Sequence, residues 1–222
     1  PDLNQMKLSI LISTMPSRTA ALASLLPKFG FDGPPDLEFD YELGTIKNWI
    51  DDERGVEVLA YLTPPYDKDN DGLSYGGKRN ALMQVAQGEY VACFDDDDDC
   101  HPEYVDRILA AIEQGPDVVG FKVACYGYAN NCKSPEIMEP ADVSIRYNGW
   151  ANDQNGFKYV RFPHHLAPTK KEHAMAIGYR GHYGEDHDYS VRMQASGRLK
   201  TEVHIDEFLY IYLFNCNKKE GE

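Results

Sequence analysis

The sequence predicts an α/β fold in which a mostly parallel central sheet is flanked by helices. Short apolar runs at 7–14, 56–62 and 90–94 are typical of strands that are buried on both faces. Helical patterns at 78–87 and 102–114 alternate with strands, and such alternation indicates a parallel sheet. Ligands of parallel sheets bind at the carboxyl ends of the strands, so those ends are where we look for a site.

The first elements follow one another closely. The strand over 7–14 ends in small polar residues, and Pro16 then begins a helical stretch with leucines on one face. A turn-rich break at 30–35 separates this helix from the strand over 56–62, which two prolines close.

The middle of the chain leads to a run of aspartates. Gly76 and Gly77 precede the helix over 78–87, and Gly88 ends it. The strand over 90–94 then runs directly into five adjacent aspartates.

The strongest helical pattern covers 102–114. Pro102 suits its first turn, an apolar stripe recurs at helical spacing, and Gly115 supplies the stop. The remaining predicted elements are a strand at 118–124, an irregular stretch at 125–158, a helix at 184–195 and a strand at 207–214.

Length and composition indicate one soluble domain. The 222 residues suffice for a single domain over 1–222, with 1–6 as a disordered or processing-derived start and 217–222 as a frayed tail. The net charge of −14 argues against a nucleic-acid partner. The five cysteines form no CxxC pair, which favours free thiols. No apolar run reaches the ~20 residues of a membrane span, so we expect a cytoplasmic protein.

The aspartate run, Asp95 to Asp99, is the most distinctive feature. Adjacent carboxylates repel one another and favour a cation between them. A plain acidic turn is the alternative, but a buried strand before the run and a strong helix after it fix this segment at a strand end. Oxygen ligands suit Mg²⁺ or Mn²⁺, so we predict a divalent metal site here.

Two further motifs carry candidate chemistry. Lys78, Arg79 and Asn80 follow two glycines at a helix start, where backbone N–H groups and basic side chains can face a phosphate. Glu185 and Asp186 begin the late helix. They either complement the helix dipole or hold a carboxylate that can take a proton from a hydroxyl.

Together these motifs resemble the family 2 type of GT-A glycosyltransferases, which have a Rossmann-like domain. The most specific part is the block from Arg79 to Asp98, with the pattern RNxxxxxAxGEYxxxxDxDD. The strand ending at Thr14 and the motif Gly184-Glu185-Asp186 add to it. The resemblance extends over 7–212 and is thin over 125–156.

The resemblance implies a metal-dependent transferase that moves a sugar from a nucleoside diphosphate sugar, preferably a UDP-sugar, to an acceptor hydroxyl with inversion. Its donor would contact Thr14, Arg18, Tyr61, Lys78, Asn80, Asp95 and Asp96. The metal, Mn²⁺ or Mg²⁺, would bind Asp97 and Asp95, and Asp186 would be the catalytic base. Candidate acceptor or diphosphate contacts are His165, Glu185 and Trp150, and the acceptor would be a glycan, a protein or a small molecule.

The sequence departs from the family pattern in two places. An aspartate that meets the base is often found after the second strand, where this chain has Tyr61 and Leu62, and Tyr61 would instead stack on the base. The family also often supplies a late histidine to the metal, for which His204 is the nearest substitute. The five adjacent aspartates can be aligned with the family's Asp-x-Asp motif in more than one way. Asp96 and Asp98 are the alternative to Asp95 and Asp97.

Two other functions compete with the transferase. A nucleotidyltransferase or pyrophosphorylase acting on sugar phosphates also combines carboxylates, a nucleotide and Mg²⁺, although residues 14–18 lack its glycine-rich signature. A non-catalytic module that binds a nucleotide sugar or a glycan is the third hypothesis. The sequence does not predict the oligomeric state.

Overall fold

A computed structural model describes residues 5–32, 44–63, 74–127, 137–181 and 183–214. The strands are β1 (Leu8–Thr14), β2 (Ile46–Asp51), β3 (Val56–Leu62), β4 (Tyr90–Asp95), β5 (Asp99–Cys100), β6 (Val118–Tyr126), β7 (Met138–Val143), β8 (Ala151–Gln154), β9 (Phe157–Arg161), β10 (Thr169–Lys170) and β11 (Glu202–Leu213). The α-helices are α1 (Thr19–Leu25), α2 (Tyr75–Val85), α3 (Tyr104–Ile112), α4 (Lys171–Ile177) and α5 (Glu185–Ser196). Short 3-10 helices at Pro16–Arg18 and Leu26–Phe29 flank α1.

The strands form one mixed sheet in the order β2-β3-β1-β4-β10-β6-β7-β9-β8, and β11 pairs with β5 and β6. At its centre, β1 runs parallel to both β3 and β4. Antiparallel strands extend the sheet, with β2 against β3 and β7 against β6. Helix α2 packs on β1 and β3, and α3 packs on β6 and β11. The α/β class with a central sheet and flanking helices is confirmed. The sheet is mixed rather than mostly parallel, because β1–β3, β1–β4, β6–β11 and β7–β9 pair in parallel and the remaining pairs are antiparallel.

Burial on both faces explains the central strands. Ile10, Leu11 and Ile12 occupy successive positions of β1 and are each at most 1% exposed. Because side chains alternate between the faces of a strand, such burial requires cover on both sides of the sheet. The register pairs Ser13 of β1 with Asp95 of β4, so the carboxyl ends of these strands meet at one edge.

Helix α2 begins at Tyr75, three residues before the start predicted from the sequence. Glycine is a poor helix former, so Gly76 and Gly77 argue for a loop. Two local contacts outweigh that preference. The Ser74 hydroxyl accepts a hydrogen bond from the Gly77 amide at 3.0 Å, which caps the helix. A side chain at Gly76 would place its Cβ 3.0 Å from the Arg180 amide nitrogen, so glycine favours this close approach of two backbone segments.

The sequence interpretation missed β2, β5, α4 and β10, and it described as irregular the stretch in which β7, β8 and the start of β9 lie. Strand β8 has no buried residue, and β7 contains a proline and two acidic residues, so neither shows a strand pattern. Strand β11 begins at Glu202 rather than at 207, and its register to β6 shifts between Ile205 and Tyr210. Such an irregularity breaks the period-two alternation that identifies strands.

The ends of the chain are only partly described. The predicted frayed tail and the first four residues of the predicted start lie outside the described residues. Met6 is buried, and its carbonyl accepts a hydrogen bond from the Glu89 amide at 3.0 Å. Met6 therefore belongs to the folded domain, although it falls within the predicted disordered start. In the described ranges, no helix has both the length and the apolar character needed to cross a membrane.

Asp117 ties the start of β6 to the segment before β11 and gives a pH-dependent contribution to stability. Its carboxylate accepts hydrogen bonds from the amides of Lys200 and Thr201 at 2.8 and 3.0 Å and lies 3.2 Å from the His173 ring. Burial alone would raise its pKa, but these contacts outweigh it and lower the pKa of Asp117 to about 2.

We expect Asp117→Asn to lower the unfolding free energy at pH 7 by about 1–3 kcal/mol, because two amides lose a charged acceptor. An unfolded aspartate titrates near pH ~3.9, so the stabilisation is complete above that pH and disappears as the pH falls toward the folded pKa. Denaturant unfolding at pH 7 and at acid pH measures this difference. Asp52→Asn in the exposed β2–β3 turn is the control, and an equal loss at both pH values would contradict the prediction.

Candidate active site

Asp95 closes β4 and contacts two side chains. Its Oδ1 lies 3.1 Å from Arg79 Nη2, and its Oδ2 lies 3.2 Å from His165 Nε2. Although burial opposes ionisation, Arg79 and His165 hold the pKa of Asp95 well below its usual range. Asp95 is therefore a carboxylate at neutral pH.

Asp96 and Asp97 form the turn after β4 and both contact Arg18. The Asp96 carboxylate is buried and accepts hydrogen bonds from Thr14 Oγ1 and Arg18 Nη1, each at 2.7 Å. Asp97 lies 3.1 Å from the same Arg18 nitrogen, and its side chain is 44% exposed. The turn thus presents one buried and one solvent-facing carboxylate to a single guanidinium.

Asp98 has partners on a different element. Its Oδ2 accepts a hydrogen bond from the Tyr210 hydroxyl at 2.6 Å, and its Oδ1 accepts one from the Leu213 amide at 2.8 Å. Burial raises the pKa of Asp98 to about 8. Asp96 and Asp98, the alternative pair from the sequence, are therefore held by different strands: Asp96 by Thr14 of β1 and Asp98 by Tyr210 and Leu213 of β11.

A cavity of about 370 Å³ lies beside the aspartate turn, and we call it the aspartate cavity. Its basic side chains are Arg18, Lys78 and Arg79, and its acidic ones are Asp95, Asp96, Asp97 and Glu185. Lys78 is only 6% exposed, and burial lowers its pKa. Such a mixture of charges can receive an anionic group and a cation together.

A second cavity, of about 250 Å³, adjoins the first, and we call it the tryptophan cavity. Its characteristic side chains are Trp150, Tyr159, Arg161, His164, His165 and Asp186. Four residues line both cavities, namely Arg79, Asp95, Glu185 and Tyr212. The two cavities therefore share a wall of ionic side chains.

Arg79 is the centre of the shared wall. It lies 3.1 Å from Asp95 and 3.4 Å from Glu185, with its guanidinium 5.8 Å from the centre of the Tyr179 ring. Burial alone would lower the pKa of Arg79, but its anionic neighbours raise it well above the usual value. This permanently charged group fixes Asp95 of β4 and Glu185 of α5 relative to each other.

Asp186 lies in the first turn of α5 and faces the tryptophan cavity. Its Oδ1 accepts a hydrogen bond from the His187 amide at 2.8 Å, and its Oδ2 lies 3.9 Å from His165 Nδ1. Burial alone would raise its pKa, but interactions with His165 and His164 lower it. Asp186 is therefore ionised at neutral pH and able to accept a proton.

Trp150 is held in the cavity wall by several contacts. Its Nε1 donates to Ser190 Oγ at 2.9 Å, and the Arg161 guanidinium lies 4.9 Å from its ring. Arg161 also lies 5.1 Å from the Tyr159 ring. The wall therefore combines aromatic faces with a cation, as sugar and anion sites often do.

The structure brings most predicted site residues together, with three exceptions. Tyr61 pairs with Ser13 across β1 and β3 and lines neither cavity, whereas its neighbour Thr63 lines the aspartate cavity. The Asn80 side chain is taken up by both backbone groups of Tyr179, at 2.8 and 2.9 Å. His204, considered as a metal ligand, instead donates its Nε2 hydrogen to the Asp142 carboxylate at 2.8 Å.

Sequence reasoning missed several aromatic and basic residues of the cavity walls. Tyr75 and Tyr183 line the aspartate cavity with ring centres 5.7 Å apart, and Tyr183 is 84% exposed. Arg161 and Tyr212 line the tryptophan cavity. The alternation in the last strand places Tyr212 on the same face as Tyr210, and this was the one available signal.

Comparison with known proteins identifies a family. The model of the family described as "Glycosyl transferase family 2" matches residues 67–189, which is more than half of the chain. No curated protein sequence matches the chain significantly.

Several solved structures share the fold. The crystal structure of TarS 1-349 from S. aureus is 16% identical, with a TM-score of 0.54, over 94% of this chain and 60% of that one. The same protein in complex with UDP-GlcNAc is 17% identical, with a TM-score of 0.53, over 98% and 60%. Its complex with UDP is 16% identical, with a TM-score of 0.54, over 94% and 60%. The chain therefore spans about 60% of the length of these structures.

Proposed function

The chain belongs to glycosyl transferase family 2, and we propose that it moves a sugar from a UDP-sugar to an acceptor hydroxyl with inversion at the anomeric carbon. The observation that carries this proposal is the pair of adjoining cavities, with the aspartate turn in one and Asp186 in the other. A displacement needs a donor and an attacking hydroxyl on opposite sides of one reacting carbon. Two cavities with a shared wall support this proposal, because they offer a separate place for each reactant.

The aspartate cavity would hold the donor. Arg18, Lys78 and Arg79 offer cationic groups for a diphosphate. Thr14 and Thr63 line the same cavity at the ends of β1 and β3. The complexes of TarS with UDP and UDP-GlcNAc support a uridine nucleotide as the ligand of this cavity.

A divalent metal would bind Asp95 and Asp97. The residues fit, because both carboxylates line the aspartate cavity and oxygen ligands suit Mn²⁺ and Mg²⁺. Two carboxylates leave coordination positions for diphosphate oxygens. The ion would neutralise charge on the diphosphate leaving group. Asp96, bound to Thr14 and Arg18, would orient the turn.

The tryptophan cavity would hold the acceptor, a glycan, protein or small-molecule hydroxyl. Asp186 is its base, because it is ionised and faces the cavity. Trp150 offers an aromatic face for a sugar, and His165 lies between Asp95 and Asp186. Glu185 would act by fixing Arg79 in the shared wall.

A nucleotide panel tests the donor assignment. We expect Mn²⁺ with UDP to raise the thermal stability of the chain, and Mn²⁺ with ADP, CDP or GDP to raise it much less. A ligand at about 100 times its Kd stabilises the folded state by about 2.7 kcal/mol. Equal shifts for all four nucleotides, or a UDP shift that survives EDTA, would contradict the proposal.

Turnover separates the competing functions. A transferase releases UDP from a UDP-sugar in the presence of acceptor, whereas a pyrophosphorylase exchanges labelled pyrophosphate into the nucleotide sugar. A binding module does neither. Nothing in the two cavities favours the pyrophosphorylase or the binding module, and pyrophosphate exchange without UDP release would replace the proposal with the former.

A further inference from the structure

Two adjacent histidines and Asp186 direct ligand atoms toward a common point in the tryptophan cavity. Within the ranges that the structure describes, His164, His165 and Asp186 form a group whose ligand atoms all lie within 4.8 Å of one another. His164 Nδ1 is 3.2 Å from His165 Nδ1, which is 3.9 Å from Asp186 Oδ2. The two histidines are only 7% and 9% exposed.

The hydrogen-bond network assigns the tautomer of His165. Its Nε2 faces an oxygen of Asp95, and an ionised carboxylate can only accept, so Nε2 carries the hydrogen. In the neutral ring, Nδ1 is then unprotonated and directs its lone pair toward His164 and Asp186. A carboxylate behind a histidine is the arrangement that orients histidine ligands in metal sites.

The separation of the two histidine nitrogens matches a tetrahedral site. Zn²⁺ bound at about 2.0–2.1 Å from its nitrogen ligands separates neighbouring ligand atoms by roughly 3.3 Å. The pair of histidine nitrogens, at 3.2 Å, already has this spacing. The Asp186 oxygen, 3.9 Å from His165 Nδ1, must move closer to the histidines to complete the site. Since His165 Nδ1 is unprotonated, the 3.2 Å contact places a hydrogen on His164 Nδ1. A bound metal ion would replace that hydrogen, and His164 would then carry its ring hydrogen on Nε2.

We propose that His164, His165 and Asp186 form a transition-metal site for Zn²⁺, separate from the aspartates of the aspartate cavity. Three protein ligands leave the fourth position open toward the tryptophan cavity. Imidazole nitrogens favour Zn²⁺ over Mn²⁺, which binds weakest in the divalent series. The histidine site therefore prefers Zn²⁺ over Mn²⁺, whereas excess Mn²⁺ can fill the all-oxygen site of the aspartate cavity.

This site has a consequence that rests on the proposed function. A metal bound to Asp186 occupies the oxygen that would take the acceptor proton, so Zn²⁺ inhibits transfer. Mn²⁺ does not compete for this position at concentrations that fill an all-oxygen site. The site therefore makes turnover sensitive to zinc in the presence of excess Mn²⁺.

Co²⁺ titration tests the site without any assay of activity. We expect the full chain to show the intense visible absorption of tetrahedral Co²⁺, which Zn²⁺ then abolishes by displacement. Loss of a ligand should weaken binding by more than about 100-fold, beyond the 10–100-fold typical of second-shell changes. We expect this loss in His164→Gln and in Asp186→Asn.

Two variants serve as controls. His187→Gln changes a histidine that contacts Trp150 at 4.9 Å but lies outside the trio, and Asp97→Asn changes the other metal site. Both should keep the tetrahedral spectrum. Circular dichroism checks the fold of His164→Gln. If that variant unfolds, the partly exposed and isosteric Asp186→Asn decides the question alone. A wild-type chain without this spectrum, or an Asp186→Asn chain that keeps it, would overturn the proposal.

Activity separates this inference from the proposed function. If Co²⁺ binds as expected and no UDP-sugar is turned over, the metal site stands and the function fails. If UDP is released and the Co²⁺ spectrum is missing, the function stands and the metal site fails. Where both hold, the ratio of rates with and without Zn²⁺ should fall in the wild type and stay close to one in His164→Gln.

Discussion

Replacement of Asp97 by alanine is expected to abolish metal-dependent donor binding and to reduce turnover about a thousandfold. The effect is large because a divalent ion at a diphosphate leaving group supplies several kcal/mol of charge stabilisation, and about 1.4 kcal/mol corresponds to a tenfold change in rate. The fold should survive, because the Asp97 side chain is 44% exposed and contacts Arg18 at the surface of the turn. Titration calorimetry with Mn²⁺ and UDP measures the loss directly.

The aspartate run supplies its own control for this experiment. Asp99 lies two residues further along, pairs with Lys28 and lines neither cavity. Asp99→Ala therefore removes a carboxylate from the same run without touching the proposed metal site. We expect it to keep both Mn²⁺ affinity and turnover. Mn²⁺ affinity that is unchanged in Asp97→Ala, or full wild-type activity in excess EDTA, would show that the metal assignment is wrong.

The elements that could be predicted from the sequence are those whose burial produces a recognisable pattern of apolar residues. Ile10, Leu11 and Ile12 are apolar without alternation because both faces of β1 are covered. Strand β8 has no apolar pattern, since its four residues are exposed. Its pairing with β9 depends on backbone hydrogen bonds, which do not require particular side chains. The β8–β9 hairpin, which contributes to the wall of the tryptophan cavity, could therefore not be predicted from the sequence.

The candidate site likewise contains residues that the local sequence pattern predicted and residues that it did not. The aspartate run and the Glu185-Asp186 pair were found because they stand at a strand end and a helix start, where local sequence shows the boundary. Asn80 was assigned to the donor from the motif, whereas its amide instead fixes the backbone of Tyr179. A motif identifies a position, but only the fold shows whether the side chain faces a cavity or holds a neighbouring loop.

Long-range contacts account for the remaining omissions. Arg79 was known as part of a basic motif, but its place between Asp95 and Glu185 depends on α2, β4 and α5 meeting. The approach of Asp186 to two histidines about twenty residues earlier likewise follows from the path of α4, which was not predicted. No spacing rule connects residues that only tertiary packing brings together.

The second large effect is expected for Asp186→Asn, which should lower kcat by about 10²- to 10⁴-fold, the range for loss of a general base. Asparagine keeps the shape of the side chain and an oxygen that can accept from the His187 amide. It cannot take a proton from the acceptor hydroxyl. Donor binding should remain close to wild type, because Asp186 lies in the wall of the tryptophan cavity and not in that of the aspartate cavity.

Asp188→Asn is the matched control, because Asp188 lies in the same first turn of α5 but pairs with Arg192 at 2.7 Å. Steady-state UDP release and UDP calorimetry on both variants distinguish a base from a structural acid. A base variant loses kcat and keeps donor affinity, whereas a structural variant loses both or loses thermal stability.

The lowered pKa of Asp186 means that the wild-type base stays ionised across the neutral range, so the kcat ratio of wild type to Asp186→Asn should not vary with pH there. Turnover that persists in Asp186→Asn would move the proton acceptor to another residue of the tryptophan cavity, for which His165 has the nearest ring nitrogen.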